Sequence, residues 1–174
     1  MDFEKVVKNR FSIRSFKEDK VSDQIIIGLL NLAIRAPSAG NIQSWEFIII
    51  KNRETIEKLA KAALNQMFIT QCSHLIVACA NQELSSKIYG KRGWDLYSIQ
   101  DVSAAIMILL LGITNAELGA CWVGAFNENE VRKILKIPDG IKPVALIPIG
   151  IPTGIEKSGP TRKKLEMKLH FETY

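Results

Sequence analysis

Pro37-Ser38-Ala39-Gly40-Asn41-Ile42-Gln43-Ser44-Trp45-Glu46-Phe47-Ile48-Ile49-Ile50-Lys51 is the stretch on which the fold turns. Its first half breaks helices and favours reversals: proline cannot extend a helix, and Ser, Gly and Asn suit turns. From Trp45 to Lys51 aromatic and β-branched residues follow one another, which predicts a short strand. Upstream, Ser22 stands where an N-cap belongs and Asp23 complements the helix dipole, so a helix is expected over 22–35 with Pro37 just past its end. Further back, Phe3, Val6 and Val7 have helical spacing over 3–9, with Asp2 placed to cap. Downstream, Ile56, Leu59, Ala60, Ala63 and Leu64 predict a helix over 54–66, and 74–80 reads as a second apolar strand.

The rest of the chain continues the alternation. Residues 83–97 lack clean periodicity, carry Gly90 and Gly93, and are expected to form a helix or loop over the body of the fold. The stretch 98–118 is apolar on nearly every face, which predicts a helix buried all round, with Gly119 as its C-terminal cap. A strand over 121–123 follows, then a helix to Leu135 opened by a capping-box-like pair, Asn127 and Glu130, and a last strand over 143–151. Without repeats, low-complexity tracts or linkers, residues 1–174 make one domain. Such alternation could build a doubly wound dinucleotide-binding fold, but neither G-x-G-x-x-G nor G-x-x-x-x-G-K-[ST] occurs.

Composition narrows the classes of function. Of the 174 residues 47% are hydrophobic and 24% charged, the mixture of a globular protein. A net charge of +5 is only mildly basic, and the cations are scattered among acids rather than interleaved with aromatics, which argues for small anionic ligands and against nucleic acid. Cys72, Cys79 and Cys121 form no C-x-x-C pair, and His74 and His170 cannot complete a zinc site, so buried thiols in a reducing compartment and no metal are expected. The first residues are charged rather than apolar, unlike a signal peptide, and the most hydrophobic segment, 104–113, is half the roughly 20 residues that a spanning helix needs. A cytoplasmic protein that does not enter a membrane is the expectation.

Two basic clusters stand at opposite ends of the chain. Arg10-Phe11-Ser12-Ile13-Arg14 opens it, and Gly159-Pro160-Thr161-Arg162-Lys163-Lys164 lies near its close. Arginine presents a planar fork of donors that matches phosphate oxygens, so the pair reads as a split phosphate clamp for a phosphorylated cofactor. Taken together with the 37–47 segment, Asn65, Ser73-His74, the Asp101-led helix, the run 119–126 and the terminal Gly-Pro-x-Arg, this pattern resembles the nitroreductase family of FMN-dependent oxidoreductases through nearly the whole chain. The resemblance implies an α+β fold, a mixed and largely antiparallel sheet flanked by helices, and a homodimer whose two subunits share their active sites.

Bound FMN carries the electron chemistry, which accounts for a chain without a convincing Ser/His/Asp triad or metal cluster. By the resemblance, Arg10 and Arg162 bind the FMN phosphate with Lys163 or Lys164 assisting, and Ser12 adds a hydroxyl contact. Arg14 stands near the pyrimidine edge of the flavin, where its charge raises the reduction potential. Pro37, Ser38, Ala39 and Asn41 match the segment that approaches the flavin from the partner subunit, and Asn65 matches the asparagine that reads its polar edge. Gly124 and Ala125 fit the turn whose backbone N–H points at flavin N5. Three departures stand out: Ser44 replaces a frequent proline, Phe68 a frequent basic residue, and Gly124-Ala125 an acidic residue followed by glycine. Trp94 and Tyr97 are candidates to line a substrate opening, and Trp122 for the core. The implied activity is a ping-pong transfer of hydride from NADH or NADPH through flavin N5 to a small oxidised acceptor, a nitroaromatic or quinone. Alternatives are a specialised member that dehalogenates or reduces free flavin, and a non-catalytic flavin- or nucleotide-binding protein.

Overall fold

A computed structural model describes residues 2–155 and 158–174 of the chain. Six α-helices and four strands are described, in the order α1 (Phe3–Asn9), α2 (Asp23–Ala33), β1 (Trp45–Ile50), α3 (Arg53–Ala62), β2 (His74–Asn81), α4 (Gln82–Arg92), α5 (Ser98–Asn115), β3 (Gly119–Ala120), α6 (Glu128–Leu135) and β4 (Ile141–Gly150). Side chains cap most helix starts: Asp2, Ser22, Asn52, Asn81 and Asn127 each accept from the backbone N–H three residues on. Asn127 completes only half a capping box, because its own N–H donates to the Ala62 carbonyl at 2.8 Å.

The sheet has the order β1-β2-β4-β3, and every described pairing is antiparallel. β2 runs through its centre, with Trp45 opposite Ala80 on one side and His74 opposite Ile149 on the other. Its side chains alternate between two cores. Ile76, Ala78 and Ala80 face α2 and α5, while Leu75, Val77 and Cys79 face α3 and α6. Paired at both edges and covered on both faces, β2 is apolar without alternation, as a central strand must be. The α+β reading therefore holds.

Several boundaries differ from the sequence reading. The third helix ends at Ala62 rather than Gln66, because Leu64 and Asn65 both take left-handed φ, 56° and 59°, and turn the chain into a short 3₁₀ turn over Met67–Gln71. Gly119 does not cap α5. Glu117 takes the left-handed position at φ 59°, with its N–H bonded to Thr114 O and that of Leu118 to Ile113 O, a Schellman pattern. Gly119 lies in β3 instead, where a Cβ would meet Ile13 Cγ2 at 2.9 Å. The strand expected over 121–123 shrinks to one bridge between Val123 and Leu146.

Nor is α5 buried all round. Val102, Ala105, Ile106, Leu109 and Ile113 face the core, whereas Met107 is 40% exposed. The helical run Gln82–Asn115 is long and apolar enough to cross a membrane by length and composition alone. Its α5 part packs on α2 and the sheet as a core helix. The irregular segment 83–97 proves helical, but broken: Gly90 takes φ 52° and ψ −137°, and Gly93–Tyr97 forms a π turn.

Candidate functional site

Arg10, Ser12 and Arg14 lie on an extended segment beside β3, where the Ile13 N–H donates to Ala120 O at 2.9 Å. In extended chain alternate residues share a face, so Ile13 turns into the core while Arg10 and Ser12 stay half-buried and Arg14 exposed. All three flank Cys121. Burial pushes its thiol up, and Arg14, the Ser12 hydroxyl and Arg10 pull the other way.

The chain's far end returns to this segment. A Cβ on Gly159 would sit 2.8 Å from Phe11 Cβ, so only glycine permits the approach. As a result Arg10 and Arg162 line one open groove of about 660 Å³, together with Lys8, Phe11, Ser158 and Pro160. Arg162 is steadied by a 2.7 Å bond from Nη1 to Pro160 O. No carboxylate stands among the described lining residues; Lys8 is paired with Glu4 at 2.5 Å, and the two arginines supply a donor set that fits a phosphate dianion. Lys163 and Lys164 are exposed and do not line the groove.

A third group adjoins. The Gln66 side chain donates to Ala63 O at 2.9 Å and Ala125 O at 3.1 Å, stapling the exposed Asn65 turn to the Gly124–Ala125 turn. The Arg14 guanidinium lies 5.9 Å over the Phe68 ring, so the aromatic residue at that position carries the cation on its face. Gln66 was not legible as a site residue, because its role depends on a partner 59 positions away.

The 37–41 loop sits elsewhere. It precedes Trp45 at the β1 edge, level with Ala80, whereas Ile13 bonds to Ala120, level with Ile149 and His74 at the opposite edge and end. Three strand spacings across and six residues along put these corners roughly 14 Å and roughly 20 Å apart in the two directions. Within one chain, therefore, Pro37, Ser38, Ala39 and Asn41 are not brought to Arg10 and Ser12.

Beside the loop, Tyr89 of α4 packs on Gly40, whose φ is 55° and whose Cβ would meet the phenol oxygen at 2.5 Å. Tyr97 meets Tyr89 edge-on at 5.1 Å and accepts from Arg92 Nε at 2.7 Å. Trp94 is 40% exposed, while Trp122 packs against the core. Ser73, His74 and Asp23 form a triad-like chain of 3.1 and 3.0 Å contacts. Ser73 is buried and its oxygen accepts the Val21 N–H, so this chain of bonds ties strand to helix and offers no nucleophile. No group of three or more metal-ligating side chains occurs among the described residues.

A family model described as "Nitroreductase family" matches residues 7–71 and 65–151. A protein of Archaeoglobus fulgidus, provisionally assigned as an NADH dehydrogenase/NAD(P)H nitroreductase, is 34% identical over 85% of this chain and 84% of its own. The FMN reductase (NADPH) of Bacillus subtilis is 25% identical over 97% of this chain and 72% of its own. Among solved structures, one from Clostridium acetobutylicum with a provisional NADH oxidase assignment superposes with a TM-score of 0.81 at 32% identity, covering 97% of this chain and 99% of that one.

Proposed function

Because the chain belongs to the nitroreductase family, we propose that it is a cytoplasmic, homodimeric FMN enzyme that oxidises NADH or NADPH and reduces a small acceptor such as a nitroaromatic or quinone in a ping-pong cycle. The observation that carries this reading is the meeting of Arg10 and Arg162 in one groove without a carboxylate. When bound, FMN accepts hydride at N5 and passes electrons on.

The chain's own residues bind and bias it. Arg10 and Arg162 would hold the phosphate, and the exposed Lys163 adds charge at the same end of the chain. Arg14, carried on Phe68, would stabilise negative charge on the reduced ring. The Gly124–Ala125 turn, fixed by Gln66, would offer a backbone N–H, and Asn65 a side-chain amide that can both donate and accept. Ser12 contributes a hydroxyl from the same face as the two arginines.

Two observations support a dimer with shared sites. The 37–41 loop and the clamp occupy diagonal corners of the sheet, so a loop from a second copy would complete the site. Near the chain's end Leu165, Met167, Leu169 and Phe171 are all exposed, a concentration of uncovered apolar side chains that a second surface would cover. Three free buried cysteines suit a reducing compartment.

Anaerobic mixing tests the activity. The purified protein should be yellow, release FMN rather than FAD on denaturation, and lose its flavin absorbance when NADH or NADPH is added. A protein that stays colourless after incubation with FMN overturns the cofactor, and a bound flavin that neither donor bleaches overturns the enzyme.

A further inference from the structure

A carboxylate buried in the core helix holds the 37–41 loop. Asp101, in the first turn of α5, is only 4% exposed, and both of its oxygens point at that loop. Oδ1 accepts the Ala39 N–H at 2.9 Å, and Oδ2 accepts the Ser44 hydroxyl at 2.8 Å. Ser44 is itself fully buried, and its carbonyl accepts the Asn81 N–H at 2.7 Å. Ser38 Oγ closes the loop internally by accepting the Gln43 N–H at 2.9 Å.

The loop needs such a brace. Gly40, Asn41 and Gln43 all have left-handed φ, between 55° and 57°. Asparagine tolerates that region, but glutamine adopts it at a cost, so the backbone would relax if its anchors were released. An isolated carboxylate in the core is costly as well, unless strong donors satisfy it. Two donors, the partly buried Ala39 N–H and the buried Ser44 hydroxyl, do so here. They come from both ends of the stretch that carries Asn41.

We infer that Asp101, with Ser44, is a positioning residue that sets the 37–41 backbone and so presents Asn41 to a flavin held by the second copy's arginines. The inference rests on the shared-site reading. An amide at 101 keeps the size but accepts through only one atom; with that atom on the Ala39 N–H, its NH₂ would donate to Ser44 Oγ and leave the buried hydroxyl proton without its acceptor. Asp101→Asn should therefore weaken FMN binding by about tenfold, and Ser44→Ala, a milder change that leaves the carboxylate in place, by a smaller factor in the same direction.

The decisive measurement counts parental-affinity FMN sites in mixed dimers. These are purified through two different tags and titrated as apo-protein by flavin fluorescence. With Asp101→Asn on one copy and Arg10→Ala plus Arg162→Ala on the other, one site keeps both intact parts. With all three changes on the same copy, each site has one damaged part. One tight site in the first arrangement and none in the second is the expected result. The reverse would overturn the shared site while leaving Asp101 a positioning role within its own copy. One tight site in both arrangements would mean that Asp101 does not act on the flavin, and that any loss of melting temperature in Asp101→Asn reflects packing alone. If Asp101→Asn does not fold, Ser44→Ala in its place reads the same pattern.

Discussion

Removing either half of the split clamp should cost FMN affinity in proportion to how firmly the structure holds that half. Arg10 is half-buried and lines the groove beside Phe11, whereas Arg162 is exposed and already uses one donor on Pro160 O. A hydrogen bond to a charged group contributes about 1.5–3 kcal/mol, or roughly 10- to 150-fold in affinity. Arg10→Ala should fall in the middle of that range. Arg162→Ala belongs at its lower end, since solvent screens an exposed cation and 0.1 M salt limits its reach to about 10 Å. Gly159→Ala supplies a test of geometry without loss of charge: its Cβ would collide with Phe11 Cβ at 2.8 Å and push the Arg162 segment outward. Its affinity loss should approach that of Arg162→Ala. The assay is fluorescence titration of apo-protein with FMN at two salt concentrations, with both arginine variants losing salt sensitivity relative to the parent. If all three variants bind FMN as the parent does, the reasoning that joins the chain's two ends around one phosphate is refuted.

Trp94→Ala should leave melting temperature and FMN affinity nearly unchanged, because the ring is 40% exposed, while altering the ratio of rates for two acceptors of different size in stopped-flow reoxidation; an unchanged ratio would make the segment scaffold. Burial pushes the Cys72 and Cys79 thiols up to about 12 and raises that of Cys121, so the native protein should resist alkylation at pH 8 and react fully once unfolded; fast labelling of any of them contradicts the burial. The side chains of Lys51 and His74 hold the Asp23 carboxyl below its ordinary value of 3.8. A depressed folded-state value means that this contribution to stability is present above the unfolded value and disappears as pH falls through the folded one. Asp23→Asn should then lower the melting temperature at pH 7 and converge with the parent in strong acid, and an equal difference at both pH values would exclude the linkage.

What the sequence alone determined was the kind and order of elements, since those depend on neighbours. Ser22, Asn127 and the periodic apolar residues of α2, α3 and α5 act within a turn or two of themselves, and the apolar run of β2 reports burial on both faces. The family was legible because short motifs recur in order along the chain. Helix ends were less so: the sequence suggested Gly119 as a cap, yet close approach of Ile13 claimed that glycine and Glu117 took the strained position. The exposure of Met107 on α5 was hidden for a similar reason, because composition says how apolar a helix is but not which side its neighbours leave uncovered. Only the tertiary structure decided which residues meet. Gly159 admits Phe11 and thereby brings Arg162 to Arg10 across 152 positions (162 − 10), Gln66 finds Ala125, and Asp101 reaches Ala39 and Ser44. The separation of the 37–41 loop from the clamp is likewise a matter of strand order, β1 and β3 being opposite edges of one sheet. Contacts of this range follow from chain topology and the volumes that must fit between packed elements, and local propensity carries no record of either.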